Sequence, residues 1–160
     1  MSCDAVSLSV TLWMAAFAGP TEAPALSNQL AIATPPSVAK EPLFSDIVRR
    51  AGGLRAQVET LRKAAPAEGE LAPLPGFDDF ANQIAALSDL DMQGHLELKK
   101  RGVVDDLKCI LRGISQDLPV RLKQVSEAKT AKERDLALRE ISYLLNDNVE
   151  VITAPPRPAA

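Results

Sequence analysis

The sequence predicts an all-α protein: a small helical bundle with a coiled-coil-like first helix, a disordered N-terminal arm and an extended Pro-rich C-terminal tail. Three observations point there. Aromatic residues are only 4% of the 160 residues, and Ala, Leu, Val and Ile dominate an apolar content of 46%, which favours helices over a β-sandwich. The twelve prolines are segregated: eight fall at or before Pro75, three lie at Pro155, Pro156 and Pro158, and only Pro119 interrupts the stretch between. Because proline inside a helix costs about 3 kcal/mol, the stretch from Gly76 to Val149 is the one able to hold long helices. Third, apolar residues recur with a helical period from Leu43 onward. The expected organisation is a flexible leader over residues 1–42, a helical bundle over 43–148 and an extended tail over 149–160.

Residues Ala5 to Ala18 form an apolar run, and Ala16-Phe17-Ala18 has the small-x-small character of a signal-peptidase site. The run is too short to cross a bilayer core of about 30 Å as a helix. It also lacks a positive n-region, since Met1, Ser2, Cys3 and Asp4 precede it. The leader reading is therefore preferred, with a cytoplasmic location; the alternative is a secreted protein whose residues 1–18 are a cleaved signal. Gly19 to Glu41 is rich in Pro, Ala, Ser and Thr with almost no charge, and reads as a linker.

The first helix is expected from Leu43 to a stop at Pro66. Ile47, Ala51, Leu54, Val58, Leu61 and Ala65 step by four, three, four, three, four, the seam of a short coiled coil. Glu59 ahead of Arg62 and Lys63 supports it, and Gly52-Gly53 softens its middle. A helix this short is marginal alone and must dock on something, either the rest of the chain or another chain. Ile47, Leu54, Val58 and Leu61 are the candidate interface.

A second helix is expected after Gly76, with Phe77, Phe80, Ile84 and Leu87 in period and Asp78-Asp79 suited to its first turn. A restart is expected at Ser88 or Asp89, carrying Leu90, Leu96 and Leu98 and stopping at Lys99-Lys100-Arg101-Gly102. The next helix takes Val103, Leu107, Ile110, Leu111, Ile114 and Leu118 and closes near Asp117, so that Pro119 opens a further helix with Leu122 and Val125. Thr130-Ala131-Lys132-Glu133 is a capping box ahead of Leu136, Leu138, Ile141, Leu144 and Leu145. That last helix is expected to stop within Asn146-Asp147-Asn148. Val149 to Thr153 then reads as extended, and Ala154-Pro155-Pro156-Arg157-Pro158 as polyproline II.

Chemistry-bearing patterns are sparse. His95, the lone histidine, reads as a solvent-facing helical residue; it lacks the Lys-Gly pair three and four residues later that phosphotransfer histidines carry, with Leu98 and Lys99 there instead. Cys3 and Cys109, far apart, do not supply a structural zinc site, and Cys109 reads as a small core residue. Asp78-Asp79 and Asp105-Asp106 are explained by predicted helix starts. No phosphate-binding glycine loop is present. The 18 basic and 21 acidic residues leave a net charge of -3, and Arg49-Arg50 and Lys99-Lys100-Arg101 are too short and too balanced for a nucleic-acid surface. The expectation is a non-enzymatic helical interaction or scaffold subunit, an adaptor or oligomer. It is expected to bind a protein partner or its own copies through apolar helix faces, with no cofactor, metal, nucleic acid or membrane span. The alternative is an exported helical protein.

Overall fold

The computed structural model describes residues 37–102 and 106–154, and within them four helices form an antiparallel bundle. After a single 3-10 turn (Val38–Lys40), α1 spans Pro42–Ala64, α2 Phe77–Lys100, α3 Leu107–Glu127 and α4 Ala131–Thr153. No strand occurs among the described residues, and none of their helices is long and apolar enough to cross a membrane. Around the bundle α1 packs on α4, α4 on α3 and α3 on α2, with a lighter α1–α2 contact closing the square. Helices α2 and α4 therefore face each other across the diagonal.

Each helix turns one heptad-spaced row inward. In α1 the row is Phe44, Ile47, Ala51, Leu54, Val58 and Leu61, all buried. In α2 it is Phe80, Ile84, Leu87, Asp91, Gly94 and Leu98, and in α4 Arg134, Leu138, Ile141, Leu145, Asn148 and Ile152. Spacings alternating between three and four residues keep such rows facing a partner helix at a small crossing angle. Rows of aliphatic side chains interleave around one core, to which the half-buried Val38, Leu43, Leu90, Ile110, Leu122 and Leu144 add their edges.

The helix ends follow local chemistry. Pro42 occupies the first turn of α1, where its missing N–H has no intrahelical partner to lose. Gly102, at φ +68°, adopts the left-handed conformation that ends α2, and its N–H reaches the Lys99 carbonyl at 3.1 Å. Thr130 and Glu133 make the expected reciprocal capping box at α4. Arg101 joins the end of α2 to the start of α1, reaching Glu41 at 2.8 Å and Glu97 at 2.9 Å. Its hydrogen bond holds the Glu41 carboxyl below the usual carboxylate range.

Five expectations are corrected. The folded unit begins before Leu43, since Val38 and Ala39 already pack on the core. Helix α2 runs through Ser88 and Asp89 without a restart, because Asp91 and Gly94 hold inward positions that a purely apolar period hides. Helix α3 runs through Pro119, so two expected helices are one. Helix α4 continues past Asn148 to Thr153, where burial of Asn148 and Ile152 overrides the extended preference of Val149 to Thr153. Leu136 and Leu96 point outward, at 51% and 54% exposure. Residues 1–36 of the leader expected over 1–42, Val103, and residues 155–160 of the tail expected over 149–160 lie outside the described residues.

The passage of α3 through Pro119 has a specific compensation. Proline has no N–H, so the carbonyl four residues earlier, on Ser115, loses its helical donor. The Ser88 hydroxyl of α2 donates to that carbonyl at 2.5 Å, and both residues are buried. A carbonyl orphaned by sequence in one helix is thus satisfied by a side chain of its neighbour. Ser88→Ala should cost about 1–3 kcal/mol in urea unfolding, the penalty of a buried group left unpaired. In a Pro119→Ala background, which restores the helical N–H, the same change should cost much less.

Candidate functional site: the polar centre of the bundle

The strongest departure from an apolar core is on α2, where Ser88, Asp91 and His95 are all buried at positions i, i+3 and i+7. That spacing sets them on one helix face. Each finds its partner on another helix. Ser88 reaches the Ser115 carbonyl as described, and His95 Nδ1 lies 2.6 Å from the Lys108 carbonyl at the start of α3. A carbonyl only accepts, so Nδ1 carries the proton and donates. His95 is accordingly an internal residue at 7% exposure, a correction to its expected solvent position; one turn of continuous helix from Asp91 carries it inward.

Asp91 reaches furthest. It is fully buried, and the fully buried Asn148 of α4 donates through Nδ2 to Oδ1 at 3.0 Å and Oδ2 at 2.8 Å. This contact spans the bundle diagonal, across which the backbones of α2 and α4 do not approach closely. Burial penalises the charged carboxylate and pushes Asp91 up to about 7, against a smaller lowering by the Asn148 hydrogen bond. The amide oxygen, Asn148 Oδ1, has no hydrogen-bond partner. Gly94, one turn beyond Asp91, is packed too closely for a side chain: an added Cβ would stand 3.1 Å from Leu111 Cδ1, 3.3 Å from Phe44 Cε1 and 3.4 Å from Ile47 Cδ1.

A second buried charge sits near the other end of α4. Arg134 is 5% exposed; its Nη1 donates to the Ala72 carbonyl in the α1–α2 connection, while Nε and Nη2 have no partner. Alongside it, Asp135 bonds Arg62 of α1 at 2.8 Å, and that hydrogen bond raises the Arg62 pKa. Asp135 stands closer to Arg62 than to Arg139, its neighbour one turn along α4, at 4.0 Å.

The expected interface residues are all inside. Ile47 and Val58 have no exposed surface, Leu54 3% and Leu61 7%, so the partner that this seam requires is the rest of the chain. Asp78 and Asp79 are exposed in the first turn of α2, Asp106 is exposed ahead of α3, and Asp105 lies outside the described residues. Cys109 is half-buried beside the core rather than within it. Among the described residues no group of three His, Cys, Asp or Glu side chains is placed to hold a metal ion. Sequence reasoning missed Asp91, Asn148 and Arg134; the available signal was that each falls in register with an apolar heptad row.

On the outside, α4 forms a ridge between two open grooves. The groove toward α1, about 460 Å³, is lined by Arg55, Glu59, Arg62, Arg139, Tyr143 and Asn146 among others. The groove toward α3, about 590 Å³, is lined by Arg121, Gln124, Glu127 and Leu136 among others. Tyr143 is the most exposed large apolar side chain described, at 61%. Comparison of the chain with protein-family models, curated proteins and solved structures yields no match.

The Arg134 geometry gives a direct expectation. A buried guanidinium with two unpartnered nitrogens carries a desolvation cost that its single carbonyl bond does not offset. Arg134→Met, which keeps the length of the side chain and removes the charge, should raise the unfolding free energy by about 1–3 kcal/mol in urea titration.

Proposed function

We propose that the chain is a non-enzymatic helical interaction subunit that docks a protein partner on the outer ridge of α4. The observation that carries this reading is the pair Leu136 and Tyr143, one heptad apart on one helix and 51% and 61% exposed. Residues seven apart lie on the same helical face, the spacing by which an amphipathic helix of a partner is gripped. The seam first considered for this role is consumed by the chain's own core; of the exposed large apolar side chains, which also include Leu71, Leu96 and Val120, Leu136 and Tyr143 are the pair that share a face of one helix. Tyr143 is flanked in its groove by Arg139 and Arg55, and tyrosine and arginine are the residue types that most often dominate interface energies. Arg62 and Asp135 are already paired there, and the chain as a whole is near neutral, with a net charge of -3. Recognition on this face therefore rests on shape and apolar contact rather than long-range attraction.

A photoreactive amino acid placed at position 143 in the full chain, in its native host, tests the reading against the same label at the exposed Lys63 of α1. The expected result is one discrete adduct from position 143, with a second copy of the chain or with another protein, that is lost when Leu136→Glu is added. Equal, diffuse labelling from positions 143 and 63 would overturn it.

A further inference from the structure

We propose that Asp91 and Asn148 form a proton-gated bolt across the bundle, in which a proton on the carboxyl bonds the Asn148 amide oxygen and its loss leaves α2 and α4 held by a strained, charged contact. This regulation of the fold is independent of the docking ridge proposed for α4. It stands on three geometric facts. Both side chains are fully buried, so neither is relieved by water. The Asn148 Nδ2 lies against both carboxyl oxygens, at 3.0 Å and 2.8 Å, so a single amide nitrogen serves both acceptors. The amide oxygen has no donor at all.

A carboxylic acid and a primary amide can satisfy each other completely. The acid's O–H donates to the amide oxygen while the amide N–H donates to the acid's C=O, and no polar atom of either group facing the other is left over. The ring forms when Nδ2 settles on one carboxyl oxygen and the protonated other oxygen meets Oδ1. The carboxylate form lacks the needed hydrogen, and Oδ1 remains an orphan acceptor beside a buried negative charge. Burial favours the protonated acid and outweighs the present Asn148 N–H contact, which favours the carboxylate; closing the ring adds an O–H donor that only the acid supplies.

The surroundings supply no competing charge. From α2 itself the neighbouring polar groups of the inner face are Ser88 and His95, both bonded to carbonyls of α3. The inner rows that α1 and α3 contribute are Phe44, Ile47, Ala51 and Leu54, and Leu111, Ile114, Ser115 and Leu118, with no charged member. From α4 the polar group is Asn148, flanked in its row by Leu145 and Ile152. His95 is the one titratable neighbour on this face, and a His95 variant belongs in the test as a control.

The sign follows from linkage. An acid bound more tightly in the folded chain than in the unfolded one stabilises the fold fully below the unfolded value near 3.9, and that contribution is lost as pH rises through the folded value. Closure is therefore strengthened by acid and loosened toward neutrality. Glu41 and Asp46, held low by Arg101 and by Arg50 and Arg49, act in the opposite sense at the acid end, so the wild type must be read against a variant.

The experiment is urea unfolding of the full chain from pH 4 to pH 8 for the wild type, Asp91→Asn and His95→Gln, with the Asp91 carboxyl followed by 13C NMR. The wild-type folding constant, divided by that of Asp91→Asn, is expected to fall up to about a thousand-fold across this range and to level off near neutrality. His95→Gln should keep that slope, and the Asp91 carbon should titrate where it levels off. Should Asp91→Asn fail to fold, the paired change Asp91→Leu with Asn148→Leu serves as the pH-insensitive reference. Parallel profiles for the wild type and Asp91→Asn, or a slope abolished by His95→Gln alone, would overturn the proposal.

Discussion

The contact between Asp91 and Asn148 is the constraint around which the bundle is organised. Aliphatic rows on four helices can slide by a heptad and still bury their surface, because Leu, Ile and Val are nearly interchangeable across such a core. A polar pair cannot slide. If α4 moved by one turn relative to α2, a buried carboxyl and a buried amide would each face hydrocarbon, at a cost of several kcal/mol. The pair crosses the diagonal, between two helices whose backbones do not approach closely, and so it ties the register of α2 to that of α4. A single polar residue in a heptad seam is the best-attested use of buried polarity for structural specificity.

The other polar contacts of α2 extend this principle to its neighbours. Ser88 is bonded to the carbonyl freed by Pro119, so the proline that would break α3 instead marks where α2 must lie. His95 ties the far end of α2 to the first turn of α3. Gly94 lets Phe44, Ile47 and Leu111 approach α2 more closely than any side chain would allow. One helix therefore carries the addresses of the others, while α1 supplies the most uniformly apolar row. Its Gly52 and Gly53 face open space, with nothing near an added Cβ, so their cost to α1 is offset by nothing within the fold.

Legibility in the sequence tracked this division. The row on α1 was plain because its members are apolar without exception, and its period could be read from Ile47 to Leu61. The capping box at Thr130 was plain because it is local. The errors arose where a core position holds a residue that sequence reasoning places outside. Asp91 and Gly94 made α2 look broken, Asn148 made α4 look finished, and Pro119 made α3 look like two helices. In each case a tertiary partner that single-sequence periodicity does not contain restored the continuity. The candidate interface was misplaced for the same reason. A heptad seam declares that it will be buried, not by which chain, and only the three-dimensional arrangement assigns Leu54 and Leu61 to the chain's own core.

On the exterior, Tyr143 and Leu136 stand out among the exposed apolar side chains because they lie seven residues apart on one helix. The claim about the interior is the more sharply testable. A double-mutant cycle on Asp91 and Asn148, each changed to Leu singly and together and unfolded in urea at one acidic pH, measures whether the two residues act as a unit. The account predicts single changes that each destabilise by about 2 kcal/mol or more and a double change well below their sum, since each single variant strands a buried polar partner and the double strands none. Additive effects would contradict it.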